Sequence, residues 1–261
     1  MKAEPESVSI GTMKKFRSAQ EALGVACCSG NVELARASIA AGALSSIRSF
    51  KKDGTVVRNV NSGQLVDDEL SAEQLAELSR HYDVLVVLPG YNVKPFAQLM
   101  LGKACVQGDV STVREALRFA DPNLAWYRID GELDGVETPA ILASRRELKV
   151  ASAILKLLMT TPGADKQSIS QVLLGIAIKN GDDHLCRRAL AGGADRNLHA
   201  YNLFGQMTND KSSGSLIYHG LAGTKLAHLS GHNPLHLLSD LPSPRMRFSF
   251  FFDGASATAN S

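Results

Sequence analysis

The sequence predicts a mostly α-helical protein, a solenoid of helix-turn-helix repeats with short β-hairpin connections and two insertions. Three observations carry that expectation. A nine-residue pattern recurs, as LGVACCSGN at 23–31, LGKACVQGD at 101–109 and LGIAIKNGD at 174–182. Each copy is followed by a short amphipathic stretch. Each of those stretches is too short to bury its apolar face alone, so it must stack on neighbours.

Within the first copy, Leu23, Ala26 and Cys27 lie at i, i+3 and i+4 and share one helix face. Gly30 suits the left-handed residue that ends a helix, and Asn31 is a good N-cap for the next. Asp109 and Asp182 stand where Asn31 does. The second helices then read VELARASIAAGA, VSTVREALRFA and DHLCRRALAGGA. Small residues at Gly24, Ala26 and Cys27 allow a neighbouring helix close approach.

The segment after the second helix also recurs, as ADPNL at 120–124, GADK at 163–166 and ADRNL at 194–198. Thr138-Pro139 precedes AILA, and Asn233-Pro234-Leu235-His236 keeps Pro-Leu-His. These segments resemble the ankyrin repeat, whose pattern runs from T-P-L-H-x-A through a glycine turn to G-A-D-x-N. The resemblance implies stacked helix pairs, short hairpin fingers and a concave surface that binds other proteins. Registered on the alanine of the first helix, the units carry Ala26, Ala104, Ala143 and Ala177, with Leu238 in a last partial unit. The interval from Ala26 to Ala104 is about two repeats of ~33 residues. It predicts a degenerate unit at 71–92; the alternative there is a helix followed by a strand, DVLVVL.

The pattern also departs from the family. Gly24, Gly102 and Gly175 stand where the family has histidine, and Arg146-Glu147 where it has glycine. Residues 45–62 read as an elongated hairpin with Asp53-Gly54 in its turn, within an insertion near 45–70. Residues 199–230 read as a polar loop insertion. A flexible segment is expected at 1–17, the array at 18–241 and an irregular tail at 242–261, where Pro242 and Pro244 oppose helix. The phenylalanines of 248–252 either cap the last repeat or belong to a partner site.

Composition narrows the function classes. The chain has 261 residues, 28 basic against 26 acidic, and a formal net charge of +2. That balance gives no electrostatic case for nucleic acid or an anionic membrane as partner. VLVVL at 84–88 is far shorter than the ~20 residues of a membrane span. The first residues lack the apolar run of a signal peptide, so a cytoplasmic protein is expected. The cysteines Cys27, Cys28, Cys105 and Cys186 form no C-x-x-C pair and suit free thiols.

No residues assemble a catalytic constellation. Cys27 and Cys105 share a repeat position with Ile178, which marks packing rather than reactivity. His228, His232 and His236 are four apart, but Gly231 and Pro234 interrupt any helix that would align them on a metal. Asp182-Asp183 lie at a helix N-terminus, where negative charge is favourable. Phosphate-binding glycine loops are absent. The expectation is a non-enzymatic protein-interaction module, a scaffold or effector that needs no cofactor or metal. Candidate contacts are Lys51, Lys52 and Arg58 in the long hairpin, Trp126, Tyr127 and Arg128 after the second finger (ADPNL), and Arg196, His199 and Tyr201 at the fourth (ADRNL). Trp126 and Tyr127 are either core or binding anchors. The alternative function is a small enzyme with its active site in the 45–95 insertion, built around DVLVVLPG.

Overall fold

A computed structural model describes residues 18–207 and 220–238. These residues are mostly helical. They divide into two compact units, Met1–Gln98 and Leu99–Ser261. Among the described residues β-pairing is limited to isolated bridges. No helix there is long and apolar enough to cross a membrane.

The first unit holds α1 (Ala19–Ser29), α2 (Val32–Ala40), α3 (Ala72–Leu78) and α4 (Tyr82–Val87). The helices pair in sequence, α1 with α2 and α3 with α4. First members also pack on first members (α1 on α3), and second on second (α2 on α4). The core between them is built from Leu23, Ala26, Cys27, Leu34, Ala35, Leu75, Ala76, Val84 and Leu85. Residues 71–92 are thus a helix pair. The strand alternative for DVLVVL is corrected: Asp83–Val87 are helical, and Val84 and Leu85 face this core. Ser71 starts α3 with a capping box in which Gln74 returns the bond to the Ser71 backbone.

Helix α5 (Val93–Gln107) leads into the second unit, which continues with α6 (Val110–Ala116), α7 (Pro139–Ser144) and α8 (Leu148–Thr160). Then come α9 (Lys166–Asn180), α10 (Asp183–Ala191), α11 (Gly223–Leu229) and α12 (Pro234–Leu237). Helices α7, α9 and α11 pack in one row, while α8 packs on α6 and α12 on α10. The 199–230 insertion is therefore corrected. Its last part is helix α11, with Leu226 and Ala227 fully buried. Ala227, not Leu238, holds the register position of Ala26 and Ala177, and Pro-Leu-His opens the second helix of that pair. Periodicity missed α11 because it is a single short helix behind a polar stretch. The segments 1–17 and 242–261, the phenylalanines among them, lie outside the described residues.

The recurrent turns are built as their residue types demand. Gly30, Gly108 and Gly181 all have positive φ, between 68° and 79°. Asn31, Asp109 and Asp182 then cap α2, α6 and α10, accepting from the backbone of Leu34, Thr112 and Leu185. Thr138 caps α7 with Pro139 in its first turn. Where Arg146 replaces a turn glycine, its guanidinium donates to Val106 O in the last turn of α5.

Candidate functional site

Gly24, Gly102 and Gly175 explain what the helix pairs display. An added Cβ at Gly24 would overlap Gly54 O and lie 2.8 Å from the Phe50 ring. Gly102 meets Gly131 O and the Tyr127 ring in the same way, and Gly175 meets Gly205 O and the Tyr201 ring. Each helix thus seats one aromatic ring and one turn glycine directly on its backbone. The turn glycines have φ of 81°, 83° and 74°. They close the four-residue segments Lys51–Gly54, Arg128–Gly131 and Asn202–Gly205. Each turn comes directly after its aromatic residue, which bridges ahead to Val56, Leu133 or Met207 and again to Leu70, Glu137 or Leu221. The β-hairpin expected at 45–62 is thus reduced to isolated bridges, Phe50 to Val56 and Arg58 to Leu65.

A glutamine one helical turn before the glycine anchors the same region. Gln171 Nε2 donates to Asp195 O at 2.8 Å, and Asp195 N donates to Gln171 Oε1 at 2.7 Å. Gln20 makes the equivalent pair with Leu44, both bonds 2.9 Å. Each buried glutamine thereby satisfies the backbone N–H and C=O of one residue with both ends of its amide.

The expected contact residues differ in exposure, with Arg196 intermediate. Lys51, Lys52, Arg58, Trp126, Arg128 and His199 are exposed. Tyr127 and Tyr201 are fully buried, their rings seated on Gly102 and Gly175. The expectation that these tyrosines touch a partner is corrected: they are core. Trp126, 48% exposed, is the outward member of its pair. Arg58 donates to Gly63 O and Ser18 Oγ, and Arg196 to Leu238 O, so both tie the chain to itself. Arg128 pairs with Asp130 at 3.1 Å in the open, a contact of little energetic weight.

Sequence reasoning missed the apolar turn residues. Ile129 is 68% exposed, Leu203 60% and Phe204 70%. They occupy the turn positions where the first turn has Lys52 (with Ile129 and Leu203) and Asp53 (with Phe204). Aligning KKDG, RIDG and NLFG behind the glycine motif would have found them.

The second unit also contains a cavity of about 200 Å³. Pro122, Ala140, Ile141, Ile169, Val172 and Met207 make its apolar part. Asn123, Thr138, Asp165 and Ser168 supply polar atoms. Asn123 Nδ2 donates to Gly163 O at 2.8 Å and its Oδ1 accepts from Asp165 N at 2.7 Å, which fixes the loop before α9.

The thiols are held away from reactivity. Burial pushes Cys27 and Cys186 up to about 12 and raises Cys105 still further, so each remains a protonated packing group. Cys28 is half-buried and raised for the same reason, with its Sγ 3.7 Å from Lys52 O. His81 covers Gly30, with Nε2 3.0 Å from Cys28 O, and His232 covers Gly181 in the same manner. A helix-turn glycine with a histidine face on it accounts for His232 without a metal. Among the described residues no group of three or more His, Cys, Asp or Glu is placed to hold a metal ion. No protein-family model matches the chain, and no curated protein is significantly similar to it.

Proposed function

We propose that the chain is a divergent ankyrin-like repeat protein that binds another protein through its exposed turns, acting as a scaffold or effector rather than as an enzyme. The observation that carries this reading is the threefold bracing of Lys51–Gly54, Arg128–Gly131 and Asn202–Gly205. Each turn is fixed by a buried ring on a helix glycine, while its tip residues are left to solvent. A rigid base beneath variable tips lowers the entropy lost on binding. The tips differ in chemistry: cationic in the first, mixed in the second, apolar in the third. Exposed Trp126 is of a type enriched in binding hot spots, and exposed Ile129 and Phe204 add large apolar side chains at the turns. The alternation of helix pairs in two rows supports the ankyrin-like reading.

The test compares proteins co-precipitated by the intact chain and by Ile129→Ser/Leu203→Ser/Phe204→Ser. The expected outcome is a defined set of partners lost from the variant while its melting temperature stays within about 2 °C of the parent, as solvent-facing substitutions allow. An unchanged set overturns the reading.

A further inference from the structure

The cavity of the second unit has a chemistry that selects its occupant. Its 200 Å³ is below the ~300–1,000 Å³ of pockets for drug-sized ligands and cofactors. It is somewhat larger than the ~150 Å³ that admits a benzene ring. One long side chain fits it. Ala140, Ile141, Ile169 and Val172 are each almost fully buried, and together they form an apolar wall. Asp165, exposed beside that wall, is the only charged residue in the lining among the described residues.

We propose that this cavity receives the cationic side chain, arginine or lysine, of an extended segment of a partner protein. The proposal rests on the interaction reading above. The aliphatic stem of such a side chain lies along Ile141, Ile169 and Val172, and its charged head reaches the Asp165 carboxylate. Asp165 accepts from Ser168 N and Ser168 Oγ, at 3.1 and 2.5 Å, and also from the Gln167 backbone N–H. A carboxylate offers about four lone-pair sites, so acceptor capacity is left for an incoming donor. The hydrogen bond from the Ser168 side chain, then that from its backbone, hold the Asp165 carboxyl below the usual range, so it is ionised at neutral pH. The N-terminus of α9 carries only about half a positive charge, and the rim stays net negative. Aliphatic side chains of similar length match the wall but leave the carboxylate unused, and acidic ones meet its charge.

The test titrates the full chain, with methyl-labelled Ile, Val and Met, with the methylamides of N-acetyl-arginine, N-acetyl-lysine, N-acetyl-norleucine and N-acetyl-glutamate. The expected result is saturable shifts at Ile141, Ile169, Val172 and Met207 with the two cationic probes. Norleucine should bind about tenfold more weakly, the worth of one charge-assisted hydrogen bond. Asp165→Asn keeps a good N-cap but removes the charge, and should weaken arginine binding about tenfold with no loss of folding. Norleucine binding as tightly as arginine, unchanged binding to D165N, or no shift with any probe overturns the proposal. None of these outcomes touches the turn-variant experiment, so the two readings fail separately.

Discussion

The first and third braced turns solve one packing problem with different residues. Around Gly175 the ring is Tyr201, and its hydroxyl both donates to Gln171 O and accepts from Gln171 Nε2. Around Gly24 the ring is Phe50, which has no hydroxyl. There the Gln20 amide donates instead to Ser49 Oγ at 3.3 Å, besides its bond to Leu44 O. Ser49 precedes Phe50, and the residue before Tyr201 is Ala200. The hydroxyl has moved one position along the chain, from the ring to its neighbour. The buried glutamine is satisfied in both copies. What both copies retain is the glycine, the turn glycine, the ring and the glutamine, and these define the unit.

The strongest way to break the comparison is at the helix glycine. Gly175→Ala or Gly24→Ala places a Cβ on a backbone carbonyl and an aromatic ring, neither of which yields cheaply. A loss of about 3 kcal/mol is expected for each, at the upper end of overpacking costs. Gly163 provides the contrast. Its φ is +79° but nothing lies within 4 Å of an added Cβ, so Gly163→Ala should cost about 1 kcal/mol from backbone strain alone. Urea unfolding of the three variants separates the two mechanisms. Equal costs at Gly175 and Gly163 would mean that the close approach carries no weight.

Next in size is the glutamine. Gln171→Ala removes two backbone bonds and one of the two partners of a buried hydroxyl, for about 2–3 kcal/mol. Gln20→Ala should cost about 2 kcal/mol, because Ser49 Oγ is a less demanding partner than the enclosed Tyr201 hydroxyl. Tyr201→Phe then sharpens the comparison directly. It should cost about 1 kcal/mol, and Ala200→Ser placed on top of it should recover part of that loss by recreating the first-copy arrangement. If the double variant is less stable than Tyr201→Phe by denaturant melting, the two solutions are not interchangeable.

These same residues mark what the sequence could and could not reveal. The three-copy motif, its glycine turns and its N-caps were legible, because left-handed φ and capping are local demands met by Gly30, Asn31 and their counterparts. The pairing of α3 with α4 was only half legible, since Asp83–Val87 is as apolar and β-branched as a strand. Burial against α2 and α3 overrides that local preference. The helix α11 was invisible for the opposite reason: Leu226 and Ala227 are its only large contributors to burial, too few to show a period. The misassigned tyrosines have a plain cause. A residue next to a turn reads as exposed until its seat, a bare glycine on a helix far away in sequence, is known. The exposed tips Ile129, Leu203 and Phe204 and the cavity around Asp165 arise from segments distant in sequence, and single-motif reading does not bring them together.

The smallest expected effect lies at the N-caps, where the first copy has Asn31 and the second Asp109. Both accept from the third residue of their helix, but Asp109 also accepts from the hydroxyls of Ser111 and Thr112, at 2.5 and 2.6 Å. Those hydroxyls, the Ser111 bond first, hold its carboxyl down to about 2. A folded value below the unfolded one gives stability that is fully present above the unfolded pKa of ~3.9 and disappears as pH falls through the folded value. Asp109→Ala should cost about 1 kcal/mol at pH 7, and Asp109→Asn less than about 0.5 kcal/mol, since both side chains cap well. The small advantage of the aspartate over Asp109→Asn should fade between about pH 4 and pH 2, whereas the Asn31 cap contributes equally at both. Guanidinium unfolding of the parent and Asp109→Asn across that window measures the difference, and an advantage undiminished at pH 2 would place its origin in something other than the charge of the carboxylate.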